Sequence, residues 1–269
     1  MDALALLARW PATAAAAVVM PDGSVVRHGD TRTVFELASV TKLVTAMAAL
    51  VAHEEGTLPL DDIDARSGAS VADLLAHSAG HDLDAATAQA HRRRRIYSTA
   101  AYERIGTLVH ERSGLPFSEY LRIGVTEPLR MDTFSLPGSP GAAGRGSVDD
   151  LVALSRAWRE PVLVHETTLE RARRPHLPEL VGVLPGFGRH APNPWGLGPE
   201  VRGRKQPHWT ASVNHPTTYG HFGQAGTMLW VDPSVDVTLI ALCRAPFGPW
   251  AAEAWPRLSA AVLAEIAHS

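Results

Sequence analysis

An apolar run over residues 14–20, the turn residues Pro21-Asp22-Gly23 and a second segment over 24–28 predict a β-hairpin with a tight turn and a buried first strand. Residues 34–38 read as extended and give way to a strongly helical, mostly apolar stretch at 43–53. Helical spacing of apolar positions recurs at 71–77, 101–113 and 117–125, punctuated by Gly80, Gly114 and Pro137-Gly138. A loop rich in Gly, Pro and Ala covers 136–146. The next helix, 147–156, opens with Ser147 as its cap and has Asp149 and Asp150 in its first turn. Pro and Gly make 175–194 irregular, and strand signals return at 195–201, 227–231 and 237–243, the last two linked through Asp232-Pro233. An amphipathic helix is expected over 250–267. Strands flank a helical middle at both ends of the sequence. That order predicts an α+β fold with a sheet domain drawn from 1–60 and 193–269 and a helical insertion at 61–192.

Composition narrows the function classes. A chain of 269 residues with 45% hydrophobic residues can bury a substantial core, and a net charge of -3 makes no electrostatic case for nucleic acid or membrane surfaces. Residues 1–10 lack a basic n-region and no apolar run approaches the length of a membrane span, so neither a signal peptide nor a membrane partner is expected and the location reads as cytoplasmic. Cys243 stands alone in an apolar strand, which excludes an intrachain disulfide and predicts a buried, inert thiol. None of the thirteen histidines has a partner at metal-ligand helical spacing with a third ligand nearby, so no metal and no other cofactor is inferred.

The chemistry begins at Ser39-Val40-Thr41-Lys42, where the extended segment meets the helix. Side chains three residues apart share one face of a helix. Unpaired N–H groups and the positive end of the helix dipole surround a serine placed at such a start. A lysine desolvated enough to lose its proton can take the hydroxyl proton and turn that serine into a nucleophile. An N-cap followed by a surface charge is the plainer use of the same four residues. Two further pieces line up with them: Ile96-Tyr97-Ser98-Thr99, entering a helix, and Tyr219-Gly220-His221-Phe222-Gly223-Gln224-Ala225-Gly226, entering the strand at 227–231.

In this order and context the chain resembles the serine β-lactamase-like hydrolases, specifically the branch of class C β-lactamases, D-alanyl-D-alanine carboxypeptidases and esterases. That branch shows Ser-x-x-Lys, then Tyr-x-Asn, then Lys-Thr-Gly or His-x-Gly. Leu74-Leu75-Ala76-His77-Ser78-Ala79-Gly80, Pro128-Leu129-Arg130-Met131, Trp195-Gly196-Leu197-Gly198 and the stretch from Gly226 to Pro233 look like further family segments, so the resemblance runs from about residue 14 to residue 243. It implies a β-lactamase/transpeptidase-like fold, an antiparallel sheet flanked by helices, with the inserted helical domain trimmed because the chain is short for the family. It further implies that Ser39 forms an acyl-enzyme with an ester or amide carbonyl, and that Lys42 and Tyr97 share the acid and base work, with a phenoxide favoured by the lysine charge. The backbone N–H groups of Ser39 and Gln224 would form the oxyanion hole, and water would deacylate the enzyme through Tyr97. Thr99, His221, Phe222 and Gly223 would border the substrate, His221 from the edge strand.

Two departures bear on the substrate. Thr99 replaces the usual Asn and offers a hydroxyl but no amide, while Phe222 replaces the hydroxyl residue of Lys-Thr-Gly. Both disfavour β-lactams and peptides, so the expected activity is a serine hydrolase acting on esters of small carboxylic acids. An acyltransferase, a D-aminopeptidase or carboxypeptidase, and a catalytically silent binding homologue are the alternatives. Plainer roles stand beside these: an aromatic staple for Tyr97, a helix cap for Thr99, a turn histidine for His221, and packing for His77 and Ser78. The basic run His91-Arg92-Arg93-Arg94-Arg95 reads either as a solvated loop or as a guard that draws anionic substrates to the cleft mouth.

Overall fold

The hairpin forms as β1 (Ala14–Val19) and β2 (Val25–His28), antiparallel, with Val19 opposite Val25. The computed structural model describes residues 1–80 and 91–268. Two short ladders come next, β3 (Phe35–Glu36) with β4 (Arg145–Gly146) and β5 (Gly182–Leu184) with β6 (Gly188–His190). The main sheet is completed by β7 (Glu200–Val201), β8 (Tyr219–Gly223), β9 (Thr227–Asp232) and β10 (Val237–Cys243), in the order β2-β1-β10-β9-β8-β7, with every neighbour antiparallel. The α-helices are α1 (Thr41–Glu54), α2 (Val71–Leu75), α3 (Thr99–Ser113), α4 (Phe117–Leu121), α5 (Val148–Arg159), α6 (Glu166–Arg173) and α7 (Pro249–Ala267).

Side-chain alternation along the strands sorts the core into two layers. Ala15, Ala17, Leu229, Val231, Ile240 and Leu242 face α5 and share one cluster with α1, which continues into Leu74, Tyr102, Ile105 and Val125 of the helical middle. Ala16, Val18, Met228, Trp230, Leu239 and Ala241 face the other way, against Trp255, Leu258 and Val262 of α7. Cys243 lies in this second layer, a free and buried thiol. From Thr41 to Ala52, α1 is buried around its whole circumference, as a helix apolar on all sides must be. Ser147 caps α5 as expected, in a capping box with Asp150.

The departures from the sequence reading have local causes. The segment 175–194 holds the β5–β6 hairpin, whose strands of three residues are too short to show a period. In place of a strand over 195–201, only Glu200 and Val201 pair with β8, because Gly198 turns the chain at a φ of 124°. The strand that carries His221 is therefore one in from the edge, where β7 covers it for two residues. The helix predicted at 71–77 stops at Leu75, ahead of His77 at a φ of 57°. The basic run is not a solvated loop throughout: Arg95 is buried among carbonyl oxygens, and Arg92 and His91 bond Asp73.

Candidate active site

Ser39 sits in a 3-10 turn (Ala38–Val40) that feeds directly into α1. Ala38 before it has a φ of 45°, a left-handed conformation that costs a non-glycine residue about 1–3 kcal/mol and persists only when the surroundings enforce it. The surroundings are visible. The Leu37 N–H donates to the Gly144 carbonyl at 2.9 Å, and the Leu37 carbonyl accepts from Thr227 Oγ1 at 2.9 Å, which ties the turn to β9. Gly223 closes on the same turn, and a Cβ there would lie 2.3 Å from the Leu37 oxygen. Glycine is thus required at the end of β8 by close approach, which accounts for the Gly of His221-Phe222-Gly223.

Lys42, in the first turn of α1, is fully buried. Its Nζ lies 3.3 Å from Ser39 Oγ, 3.2 Å from Thr99 Oγ1 and 2.7 Å from the Gly141 carbonyl oxygen. The faces of Tyr97 and Tyr102 flank it, with centroids at 4.8 and 5.4 Å. Among the described residues no carboxylate touches it; burial pushes its pKa down to about 7, opposed only in part by the charge of Glu103. Gly141 reaches the lysine because it has no side chain, since a Cβ would meet Thr99 Cγ2 at 2.8 Å. Its loop is strapped to α1 by Thr45 Oγ1 donating to the Pro140 carbonyl at 2.6 Å and by the Gly144 N–H donating to Thr41 Oγ1 at 2.9 Å.

Tyr97 donates to Ser39 Oγ at 2.6 Å. Burial pushes its phenol well above the ordinary range, and the bond to Ser39 offsets only part of that. The expected phenoxide is therefore not favoured: desolvation of Tyr97 outweighs any help from a lysine that is itself close to neutral. Ser98, not Thr99, caps α3, which leaves the Thr99 hydroxyl for Lys42. His77 supports Tyr97 from behind, with ring centroids 4.6 Å apart and Nδ1 accepting from the Ser98 N–H at 3.2 Å.

His221 is buried, and burial followed by the Lys42 charge lowers its pKa to about 3, so the ring is neutral. Its Nδ1 lies 2.7 Å from the Phe222 carbonyl oxygen, which assigns the proton to Nδ1 and leaves Nε2 an acceptor with no partner among the described residues. The phenyl ring of Phe222 points to the opposite side of β8 and packs among Phe187, Trp209, Phe247 and Trp255 at centroid distances of 5.2 to 5.8 Å. Its substrate-facing contribution shrinks to the cleft wall it shares, because neighbours on a strand face opposite ways. The amides of Ser39 and Gln224 donate to no acceptor among the described residues, and the Gln224 peptide is fixed by its carbonyl accepting from the Phe247 N–H at 2.8 Å.

These groups border a cavity of about 370 Å³ walled by Ser39, Tyr97, Thr99, Leu184, Trp195 and His221. Glu200 also reaches it, as a buried carboxylate bound to Lys205, to His208 Nε2 at 2.9 Å and to the Trp209 indole. Trp195, Glu200 and Gly141 are site or supporting residues that sequence reasoning passed over, of which Trp195 lay in a segment already singled out, while His77, read as a packing residue, supports Tyr97. Among the described residues, no group of three or more His, Cys, Asp or Glu is placed to hold a metal ion, and no helix is long and apolar enough to cross a membrane.

Comparison with known proteins agrees with the fold that carries these groups. The model of the Beta-lactamase family matches residues 7–264. The crystal structure of a β-lactamase from Mycobacterium bovis superposes with a TM-score of 0.94 at 43% sequence identity, covering 98% of this chain and 99% of that one. A simvastatin synthase from Aspergillus terreus matches at TM-score 0.79 and 14% identity, over 98% and 93% of the two chains. EstCE1, described as a hydrolase with promiscuous acyltransferase activity, matches at 0.79 and 17%, over 97% of each. At those identities the last two speak for the fold. Among curated proteins, none matches the chain.

Proposed function

We propose, for a chain that belongs to the β-lactamase family of hydrolases, that it is a serine esterase forming its acyl-enzyme at Ser39. One juxtaposition carries the reading: Ser39 Oγ stands 2.6 Å from Tyr97 Oη and 3.3 Å from the Nζ of a lysine that no carboxylate of the described residues neutralises. With the Gly141 carbonyl and Thr99 Oγ1 taking two N–H bonds, the neutral Lys42 amine turns its lone pair to the Ser39 hydroxyl. As Ser39 Oγ attacks the ester carbonyl, its proton passes to Lys42 Nζ and the carbonyl oxygen becomes an oxyanion facing the Ser39 and Gln224 amides. The tetrahedral adduct then expels the alcohol, which takes the Tyr97 phenol proton while Lys42 returns its own to Tyr97. Water repeats the sequence in reverse to release the acid and free Ser39.

Tyr97 thus acts as a relay that is a phenol at rest, and Lys42 as the base. Thr99 keeps a contact to the lysine but presents no amide to a substrate, which supports esters over β-lactams and peptides. Acyl transfer is a second reading, favoured by the apolar walls Leu184, Pro185 and Trp195, which suit an alcohol acceptor, and by the acyltransferase activity ascribed to EstCE1.

A fluorophosphonate probe tests the reading. The intact protein should be labelled, Ser39→Ala should not, and Tyr97→Phe should be labelled about 10²-fold or more slowly. Absence of label on the intact protein overturns the enzyme reading, and label surviving Ser39→Ala overturns the choice of nucleophile. Rates on nitrophenyl esters against a chromogenic cephalosporin then separate esterase from β-lactamase.

A further inference from the structure

Next to the nucleophile's cavity lies a groove of about 610 Å³, and Tyr97 and Pro185 belong to the walls of both. Its construction is specific. The Arg95 N–H donates to the Val181 carbonyl at 2.9 Å, and Arg95 bridges Gly182 in parallel, so the chain before Tyr97 and the β5–β6 hairpin are held side by side. Gly182 makes this possible, since a Cβ there would sit 2.4 Å from the Arg95 oxygen. Across the hairpin, Val183 pairs with Arg189.

Among the described residues the lining is one-signed: four of its ten are arginines (Arg93, Arg94, Arg95 and Arg189) and none is acidic, in a chain whose net charge is -3. Arg95 is buried beneath, its guanidinium donating, among the described residues, to carbonyl oxygens alone, including Asn193 at 2.7 Å and Leu177 at 3.0 Å. Arg93, Arg94 and Arg189 are exposed, and none of them bonds a carboxylate among the described residues. Arg92, next in sequence, is different: Asp73 holds it. Between the arginines the floor is apolar, from Ile96, Val181 and Val183, the last 58% exposed. Guanidinium groups in a fork geometry recognise carboxylate and phosphate oxygens, and an apolar floor accepts the chain that bears them.

We propose that this groove is a second subsite that holds an anionic group, carboxylate or phosphate, at the far end of an apolar chain belonging to the substrate ester. The inference rests on the hydrolase reading and names the substrate class: an amphipathic ester whose reacting carbonyl lies at Ser39 and whose anionic end lies among Arg93, Arg94 and Arg189. The charge speeds capture and fixes which end enters, while the chemistry at Ser39 is unchanged.

Mono-4-nitrophenyl esters of dicarboxylic acids, from succinic to suberic, are to be compared with the same compounds capped by a distal methyl ester. The free acids should exceed the capped ones in kcat/KM by about tenfold at low salt, with an optimum at one chain length. In Arg93→Ala/Arg94→Ala/Arg189→Ala that ratio should fall to near one with the capped esters unaffected. Salt at about 1 M, where the screening length is about 3 Å, should do the same to the intact protein. A ratio that the triple variant leaves unchanged overturns the subsite. Binding of octyl phosphate, octanoate and octanol by calorimetry supplies an arm independent of turnover and tells phosphate from carboxylate. Either anion should bind the intact protein at least tenfold more tightly than the triple variant, and anions that bind no better than octanol overturn the proposal. Failure to hydrolyse even the capped esters defeats the hydrolase reading alone, and the binding arm still decides the groove.

Discussion

Two lysines lie fully inside this protein, and they are handled in opposite ways. Lys205 is paired: Glu200 bonds it directly, and Asn193 Oδ1 and the Pro194 carbonyl accept from it at 3.1 and 3.2 Å. Burial lowers it to about 8 against the pull of Glu200, whose carboxyl is in turn held far below its ordinary range, against burial, by the charges of Lys205 and His208. Lys42 has only neutral acceptors among the described residues and comes down to about 7. The difference teaches what makes a buried lysine a base. Depth is the same in both; what separates them is that every partner of Lys42 among the described residues is uncharged, so its proton is held weakly and can leave without stranding an anion.

The comparison is sharpened first by removing each amine. Lys42→Met should reduce ester turnover by about 10³-fold or more while leaving the denaturation midpoint unchanged or raised, because a thioether of similar volume replaces a buried amine that no carboxylate of the described residues pairs. Lys205→Met should do the reverse, lowering stability by about 3–5 kcal/mol in urea through the stranded Glu200, and Lys205→Met/Glu200→Gln should recover most of the loss. Equal stability losses in the two single variants would erase the distinction.

A pH series comes next. Lys42 loses its proton near pH 7 when folded and near 10.5 when unfolded, so between those values the unfolded chain holds more protons and stability rises with pH. Turnover should climb through about pH 7 as the free amine appears, and Lys42→Met should flatten its share of the stability slope. The smallest effect belongs to Thr99→Val, which removes one neutral acceptor and should slow turnover by a factor of about 2–10, corresponding to a single hydrogen bond of about 0.5–1.5 kcal/mol. A 10³-fold loss there would mean that Thr99 does more than hold the lysine.

What could be read from the sequence divides along the same line. Ser39, Lys42 and Tyr97 were legible because the first two are neighbours on one helix start and the third opens another helix, and the sheet was legible at β1, β2, β9 and β10, while β8 was read only as the approach to the strand at 227–231. The protonation of Tyr97 was not, because it depends on how much water the assembled fold excludes. Gly141 reaches Lys42 from 99 residues away, and the Glu200–Lys205 pair sits in a stretch of Gly and Pro with no periodicity to mark it. Phe222 could have been placed better: flanked by His221 and Gly223 on a strand, it had to face the other layer. Arg95 looked like one more surface charge in a basic run, and only carbonyls converging from residues 76, 176, 177 and 193 make it interior.

Trp195 has a use beyond walling the cavity. Its ring stands 4.9 Å from His77, 5.6 Å from His221 and 5.8 Å from Tyr97, with the Lys205 ammonium 5.7 Å away. An indole set among those groups is a built-in optical gauge, whose emission responds to a nearby proton or an arriving acyl chain while the six other tryptophans supply a steady background. The difference spectrum between the protein and its Trp195→Phe variant would let the filling and emptying of the pocket be followed in real time with unlabelled compounds, including those that leave no coloured product.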